Sequence, residues 1–424
     1  MSKFVKLSDV AELTVGFVGT MAEHYETSGI PFLRSLNIKP FFIDNTDIKY
    51  ISESFNKKLS KSILHTDDVV IVRTGLPGTC CVVPKQYDGC NCSDVVIVRP
   101  DKNKVDPHYL AAYINVWGQR QIHNNRVGAV QKHFNVHSAE ELLILLPDIE
   151  SQRKTAAFIK NLNGLILNNN QINDNLQHQI KLMYDYWFTQ FDFPDENGKP
   201  YRSSGGAMVW NEQLKKHIPA EWKVTTALSA GIYTSDFTAN GSFAGLAENV
   251  KYNEGTPYAI LVRIVDYNNN FSEPDKFIYV NKHAYDYLKS CTLSGDEIII
   301  CNVGNVGITF RCPNLGMPMV LGPNGIVVNS KEYNDYLYMY YTSQEGQYRI
   351  QSISSGSIQK KFNKTDFRNM PLLLPPKEVN DSFKEQYHRL KVLCDNIWHE
   401  NRKLTSLRDW LLPMLMNGQA TIAD

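Results

Sequence analysis

The feature that most constrains this chain is an internal duplication with a long period. Residues 128–135 read GAVQKHFN and residues 356–363 read GSIQKKFN. A Leu-Pro pair follows each copy, at 146–147 and 374–375, so the motifs and the Leu-Pro pairs are both displaced by 228 residues. Solenoid repeats have units of roughly 20–50 residues. A displacement this long therefore predicts two copies of a whole domain.

The duplication extends upstream of the motifs. A Val/Ile run after Asp68 leads to Gly75 and Gly78, and a similar run after Asp296 leads to Gly304 and Gly307. Short β-branched runs bounded by Gly, Pro and Asn predict strand-rich domains. A phosphate-binding loop would need a helix and a Lys-Ser or Lys-Thr pair directly after the glycines, and neither is found there. We therefore interpret both glycine pairs as sites of a tight turn or of a close approach of the backbone.

Downstream of each Leu-Pro pair the apolar period changes to heptads, which predict a coiled coil. Two helices packed on separate cores remain the alternative. Both predicted seams carry Asn, a residue that lowers coiled-coil stability but can fix the register. The first seam comprises Ile159, Leu162, Ile166, Asn169, Asn173, Leu176, Ile180 and Met183. The second comprises Tyr387, Leu390, Cys394, Ile397, Asn401, Leu404 and Leu411.

The order domain, helix, domain, helix predicts that the two helices run antiparallel. A helix over residues 150–188 would be about 58 Å long at ~1.5 Å per residue. If a pseudo-twofold axis passes near the middle of the seam, Asn169 should face Asn401. The fold class we expect is α+β, with two strand-rich domains related by pseudo-twofold symmetry and separated by two long antiparallel coiled-coil helices. The predicted segments are a first domain (1–147), a central helix (148–190), a polar, turn-rich linker (191–217), a second domain (218–375) and a C-terminal helix (376–424).

Composition indicates a cytoplasmic protein. No apolar run approaches the ~18 residues of a membrane span, and the first residues lack the apolar core of a signal peptide. The eight cysteines are too few and too unevenly spaced for a disulfide framework. Cys80, Cys81, Cys90 and Cys92 lie close enough in sequence to suggest zinc, but their spacing fits no standard zinc site. We expect buried thiols and no metal.

The charge distribution points to nucleic acid although the formal net charge is zero. Residues 108–138 and 347–364 contain no Asp or Glu, and each stretch surrounds one copy of the motif. Lys and Arg can neutralise phosphates, and Gln suits the edge of adenine. A purely structural turn is the alternative. The predicted DNA contacts are Arg120, Arg126, Gln131, Lys132 and His133 in the first domain, and Arg349, Ser357, Gln359, Lys360, Lys361 and Lys364 in the second.

These features resemble the specificity subunit of type I restriction–modification enzymes. The resemblance rests on the two motifs, each leading into Leu-Leu-Pro and a helix, and it spans essentially the whole chain. It also rests on residues 186–193 (YWFTQFDF), 218–222 (IPAEW) and 411–418 (LLPMLMNG).

The resemblance implies that each strand-rich unit is a target recognition domain for one half of a bipartite, asymmetric double-stranded DNA site. It implies that the helices set the spacing of the half-sites, which would lie about one helical turn apart, ~34 Å. It also implies docking of two methyltransferase subunits, which transfer a methyl group from S-adenosylmethionine to adenine N6. Motor-nuclease subunits can join such a core, and no membrane is involved.

The sequence contains no motif that would make this chain an enzyme. It has no Asn/Asp-Pro-Pro-Tyr/Phe segment, no Gly-rich strand–helix turn for a methyl donor and no GxxxxGK[ST] motor loop. We therefore expect no catalysis and no cofactor in the chain itself. Two alternatives stay open: the recognition part of a single-chain methyltransferase or nuclease system, and a coiled-coil scaffold that binds no nucleic acid.

Overall fold

The computed structural model describes residues 3–118, 121–122, 134–271, 274–356 and 359–422. The chain forms two compact units. One comprises Met1–Gln171 with Trp398–Asp424, and the other comprises Ile172–Ile397. Each unit contains one α+β domain and a segment of each long helix.

Each domain is built on a four-stranded antiparallel sheet. In the first domain the strand order is Ala11–Val15, Val95–Pro100, Val69–Val72, Cys80–Val82, and in the second it is Tyr233–Asp236, Gly325–Asn329, Ile298–Cys301, Thr309–Arg311. All four residues of Val69–Val72 and of Ile298–Cys301 are buried. These runs form inner strands because β-branched side chains fit a pleated surface that is covered on both faces.

A second, mixed sheet recurs in both domains. Ile30–Leu33 pairs in parallel with Asn91–Cys92 in the first domain, and Ala259–Val262 pairs in parallel with Met319–Leu321 in the second. A further pair of strands joins the beginning and the end of each domain. Lys3–Lys6 pairs with Leu143–Leu146, and Lys223–Thr226 pairs with Pro371–Leu374. The chain therefore leaves each domain at the Leu-Pro pair, directly before a long helix.

The structural repeat extends into segments whose sequences do not align, namely 36–65 and 264–290. Ser52 caps the helix Glu53–Lys58, and Asn281 caps the helix Lys282–Tyr287 in the same way. The two segments differ at one place. The first domain has a hairpin of Ile38–Lys39 and Phe42–Ile43 where the second domain has the helix Ile264–Asn268.

The remaining elements complete the two domains. The first domain also has the strand Lys49–Ile51 and the helices Pro107–Tyr113 and Val136–Glu140, with a π-helical turn at Ile114–Gly118. The second domain also has the strands Met208–Asn211, Lys216–Pro219, Ile278–Val280 and Thr292–Leu293, and the helices Phe243–Asn249, Asn334–Thr342, Gln344–Ser352 and Lys364–Asn369.

The central helix runs Ile149–Tyr184 and continues as a π-helical turn at Asp185–Thr189. The C-terminal helix runs Lys377–Met416. Asp148 starts the central helix, since its carboxylate accepts hydrogen bonds from the backbone N–H and the hydroxyl of Ser151. Every residue of the two predicted seams is buried or half-buried, whereas Leu165, Leu393 and Leu407 beside them are exposed.

Within the first unit the two long helices pair antiparallel. Asn169 contacts Asn401, and Asn163, earlier on the central helix, accepts a hydrogen bond from Arg408, later on the C-terminal helix. Two partner pairs that run in opposite sequence directions establish the antiparallel orientation there. The Asn169–Asn401 contact is the one expected from the seam.

Within the second unit the end of the central helix meets the start of the C-terminal helix. The rings of Tyr184, Trp187 and Phe188 lie 6.4, 5.8 and 4.8 Å from the ring of Phe383. Aromatic pairs at such distances add to the free energy of burial. The heptad region therefore ends in an aromatic cluster that belongs to the core of the second unit.

A mostly buried arginine contacts both the C-terminal helix and the second domain. Arg311 forms ion pairs with Asp335 at 2.7 Å and Asp296 at 3.1 Å. Its guanidinium lies 5.3 Å from the ring centre of Tyr338 and 5.4 Å from that of Tyr387. Because Tyr387 belongs to the helix and Arg311 to a strand, this contact anchors the helix on its domain.

The predicted linker 191–217 is more ordered than its polar composition indicates. Phe191 and Phe193 are buried, and the ring of Phe193 stacks on those of Tyr201 and Trp222. A hairpin of Met208–Asn211 and Lys216–Pro219 follows and crosses the predicted start of the second domain at 218. Burial of these aromatic side chains stabilises the packed conformation of the segment, although its composition is polar and turn-rich.

No helix in the described part of the chain is long and apolar enough to cross a membrane. The described residues also contain no group of three or more side chains arranged to hold a metal. Cys80, Cys81, Cys90 and Cys92 are buried free thiols. Burial raises the pKa of each, to about 12 for Cys90, so the protonated form is favoured.

Candidate nucleic-acid interface

The aromatic residue of each motif is a core residue. Phe134 and Phe362 are both buried. Their backbone N–H groups donate to the carbonyl oxygens of Arg73 and Asn302, in each case at 3.1 Å. Arg73 and Asn302 directly follow the inner strand of the respective sheet. Both motifs are therefore attached to the scaffold at the same point.

The asparagine of each motif is a helix cap. The Asn135 side chain accepts from the N–H of Ser138 at 2.8 Å, at the start of Val136–Glu140. The Asn363 side chain accepts from the N–H of Asp366 at 2.8 Å, at the start of Lys364–Asn369. Asn is among the best N-cap residues. The Phe-Asn half of the motif thus recurs for folding reasons.

In the second copy the antiparallel bridge between Ser355 and Lys361 brings Ser355, Gly356, Gln359, Lys360 and Lys361 together at the surface, and we call these five residues the motif hairpin. Ser355 and Lys361 exchange two backbone hydrogen bonds of 2.8 Å. Gly356 has φ +105°, and a Cβ there would lie 2.4 Å from the carbonyl oxygen of Gln359. Only glycine fits this position.

Three predicted contact residues lie exposed on the motif hairpin: Gln359, Lys360 and Lys361. The Lys360 amine lies 3.3 Å from the amide oxygen of Gln351. Among the described residues, no carboxylate lies within ion-pair distance of Lys360 or Lys361. Both cations are therefore available to an external anion.

Arg349 and Lys364 are placed differently, because each is paired inside the domain. Arg349 is bound to Glu345 at 3.1 Å, one turn earlier on the same helix. Lys364 lies 3.2 Å from Asp236, and both side chains are mostly buried. Their charges are already compensated within the second domain.

Arg120, Arg126, Gln131, Lys132, His133 and Ser357 lie outside the residues that the structure describes. Their assignment as DNA contacts stays a prediction, as does that of the described members of the set.

A second element, which the sequence marked as a tight turn or a close approach of the backbone, contacts the motif hairpin. The glycine turn of the second domain, residues 302–307, donates from the N–H of Gly304 to the carbonyl of Lys360 at 3.0 Å. The Gln347 and Gln351 side chains donate to the carbonyls of Gly307 and Val306. One sequence feature could have linked these two elements. The glycine pair and the motif are far apart along the chain, but both are repeated, in the same order, in the two halves.

Two copies of one α+β domain, each leading into a heptad helix and carrying an amide- and amine-bearing motif, are typical of a duplicated DNA-recognition protein. The family described as type I restriction modification DNA specificity domain matches residues 2–178 and 237–408. The chain belongs to this family, whose members act as the specificity subunits of type I restriction–modification systems.

Similarity to individual proteins supports this membership. A Methanocaldococcus jannaschii protein that carries the provisional name of type I restriction enzyme MjaX specificity subunit is 22% identical over 98% of this chain and 93% of its own length. The HindI specificity subunit of Haemophilus influenzae is 22% identical over 76% of this chain and 80% of its own length.

Among solved structures, the fold is similar to that of the type I restriction–modification S subunit of M. genitalium. The TM-score is 0.57 at 13% identity, over 98% of this chain and 96% of the other. At this identity the likeness concerns the fold alone.

Proposed function

We propose that this chain reads a bipartite DNA sequence, one half-site per domain, for a methyltransferase that modifies adenine N6. The observation that carries the proposal is the motif hairpin of the second domain, which exposes Gln359, Lys360 and Lys361 and is hydrogen-bonded to the glycine turn that follows the inner strand. The lysines would neutralise phosphates and fix the register. Gln359 would hydrogen-bond a base edge, for which adenine is the best match.

The chain itself would supply recognition and no chemistry. The methyl donor, S-adenosylmethionine, would bind to the partner methyltransferase subunit. The sequence lacks the Asn/Asp-Pro-Pro-Tyr/Phe segment that such catalysis uses, which supports this division of labour. Motor-nuclease subunits would join when unmodified DNA is cut.

Docking of two methyltransferase subunits is the function we assign to the outer faces of the long helices. On the segments within the first unit, Leu165, Leu407 and Trp410 are exposed, the last by 64%. On the segments within the second unit, Leu182 and Leu393 are about half exposed. Exposed apolar side chains that lie beside a buried seam favour a protein partner.

Reconstitution with the partner methyltransferase tests the proposal. Methylated positions in host DNA would be mapped by single-molecule sequencing, with the wild-type chain and with a K360A/K361A variant. The matched control is K223A/K251A, which removes the same charge from exposed positions elsewhere in the second unit. We expect two fixed half-sites with a fixed gap for wild type and control, and weakened or altered recognition of one half-site for the motif variant.

Salt dependence of binding separates DNA recognition from a scaffold role. If both lysines contact phosphates, the slope of log affinity against log salt should fall by about 2 in K360A/K361A, since each contact contributes ~0.9. A scaffold that binds no nucleic acid would show no DNA affinity to lose. Methyl transfer by the isolated chain would instead favour the single-chain enzyme alternative.

A further inference from the structure

The two glycine turns, residues 73–78 and 302–307, lie within long stretches without acidic residues. Residues 69–87 and 298–331 contain no Asp or Glu. Each stretch covers the inner strand, the turn and the returning strand. A surface that approaches the phosphates of DNA benefits from such an absence of negative charge.

The two turns have the same backbone hydrogen bonds. In the first domain Gly78 N–H donates to Val72 O at 3.0 Å, and Thr79 N–H donates to Leu76 O at 3.2 Å. In the second domain Gly307 N–H donates to Cys301 O at 3.0 Å, and Ile308 N–H donates to Asn305 O at 3.3 Å. Four glycines with positive φ, at 75, 78, 304 and 307, allow this tight path. The residue at the tip is therefore held in one place.

Both turns are also fixed to the motifs. The carbonyls of Arg73 and Asn302 accept from Phe134 and Phe362 of the motifs, and their side chains donate back to the carbonyls of the same phenylalanines. In the second domain the turn thus stands beside the predicted DNA contacts Lys360 and Lys361. In the first domain Arg73 adds a cation with no carboxylate partner among the residues that the structure describes.

The tip residues themselves differ in chemistry. Leu76 is 76% exposed, and the equivalent residue of the second domain, Asn305, is also exposed. A single exposed leucine is ordinary on a protein surface. The two turns share their glycines and their backbone hydrogen bonds, but one presents a leucine and the other an asparagine at the tip. Such a difference suits two domains that recognise distinct half-sites.

We propose that the tip of each glycine turn is a specificity-determining position. Leu76 contacts the C5-methyl group of a thymine, and Asn305 hydrogen-bonds the N6 and N7 atoms of an adenine. The thymine methyl is the apolar group that a base pair presents in the major groove, and Asn matches the adenine edge. This inference rests on the proposed function and assigns residues to it that the motif does not include.

Base analogues test each contact in the complete complex. The wild-type motif is mapped first, and an absence of sequence-selective methylation at that stage would refute the proposed function itself. Each thymine of the first half-site is then replaced by uracil, which lacks the methyl group. One such position should weaken wild-type binding about fourfold, as expected for one buried methyl group, and should leave L76A unaffected.

For the second domain, each adenine of the other half-site is replaced by 7-deazaadenine, which lacks the N7 acceptor. One position should weaken wild-type binding roughly five- to tenfold and leave N305A unaffected. The swaps L76N and N305L should each change one half-site and leave the other intact. The matched controls L143N and N197L make the same two substitutions at exposed positions of the first and the second unit. Each control should leave the recognition of both half-sites unchanged.

Thermal unfolding of all variants shows whether they fold. If folded L76N and N305L complexes methylate the wild-type sequence unchanged, or if no analogue distinguishes wild type from L76A and N305A, the tips do not read bases. Loss of methyltransferase co-purification in L76N with an unchanged sequence preference would show a subunit contact instead, and would also overturn the proposal.

Discussion

The side-chain amide of Asn169 donates a hydrogen bond to the side-chain oxygen of Asn401 at 3.1 Å. The two asparagines lie on the predicted seams of the central and C-terminal helices. Asn401 donates in turn to the side chain of Asn170 at 2.8 Å. A half-buried amide pair in an apolar seam favours this alignment of the helices, because the two aligned asparagines hydrogen-bond each other.

Replacing one of these asparagines should destabilise the first unit. We expect N169A to lower its free energy of unfolding by about 1–2 kcal/mol, because part of the hydrogen-bonding capacity of Asn401 is left unused. The double variant N169L/N401L should recover that loss as an apolar seam. Urea denaturation of N169L, N401L and the double variant N169L/N401L measures the coupling energy, and strict additivity would mean that the pair does not act as a unit.

The two halves of the motif should respond differently to mutation. F362A should cost about 3–5 kcal/mol of stability, because it empties a buried site in the core of the second unit. Q359A should leave the melting temperature unchanged and weaken DNA binding. Differential scanning calorimetry and a binding titration on the same samples distinguish the two. A stable F362A protein would contradict the core role of this phenylalanine.

Loss of the Asn363 cap should have a smaller effect. N363A should destabilise the second unit by about 1 kcal/mol, and N363S should restore most of the loss because serine also caps helices. Thermal unfolding of the two variants checks this order. Equal losses in both would show that the asparagine acts through some contact other than the cap.

Paired and unpaired lysines should differ in their effect on DNA binding. K364A removes the partner of Asp236, so we expect a loss of stability with little change in the salt dependence of binding. K360A removes an uncompensated cation and should lower the salt slope by about 0.9 while the stability stays constant. Titrations at several salt concentrations test both. A larger change of slope in K364A than in K360A would reverse this assignment.

Stability should fall at high pH because the core contains protonated thiols. Burial raises the pKa of Cys90 and Cys291 to about 12, from an ordinary value of 9.0. The folded state therefore keeps protons that the unfolded state releases, so the stabilisation is complete below pH 9 and is lost as the pH rises toward 12. Each thiol should contribute up to about 1.4 kcal/mol per pH unit in that window.

Urea denaturation of the wild-type chain and of C90A and C291A between pH 8 and 10.5 measures this effect. The alanine variants should show a shallower decline, since other groups that titrate in the same range are common to all samples. Identical pH slopes in the variants and the wild type would contradict a thiol contribution.

The periodic features of this chain could be predicted well. Heptads place Ile159, Leu176 and Tyr387 on a buried face, because the spacing of apolar residues along a helix decides which side excludes water. The segment at 191–217 shows the opposite case. Its polar residues predict a surface connection, but the burial of Phe191 and Phe193 depends on Tyr201 and Trp222, which the sequence does not mark as neighbours.

For the candidate site, too, the sequence predicts some features and misses others. The repeated motif identifies Gln359, Lys360 and Lys361 as exposed candidates, and it also predicts Arg349 and Lys364 on grounds of charge alone. The ion pairs with Glu345 and Asp236 depend on residues 4 and 128 positions away, so composition cannot separate a compensated cation from a free one.

By itself the sequence determined the duplication, the strand-rich character of both domains, the two heptad helices and the family. Repeats and periodic spacing can be read along the linear sequence without knowledge of tertiary contacts. Only the tertiary structure decided that the Phe-Asn half of each motif belongs to the scaffold and that a distant glycine turn stands beside the motif hairpin. The physical reason is that these relationships are made by hydrogen bonds such as Gly304 to Lys360, whose partners meet only when the sheet has formed.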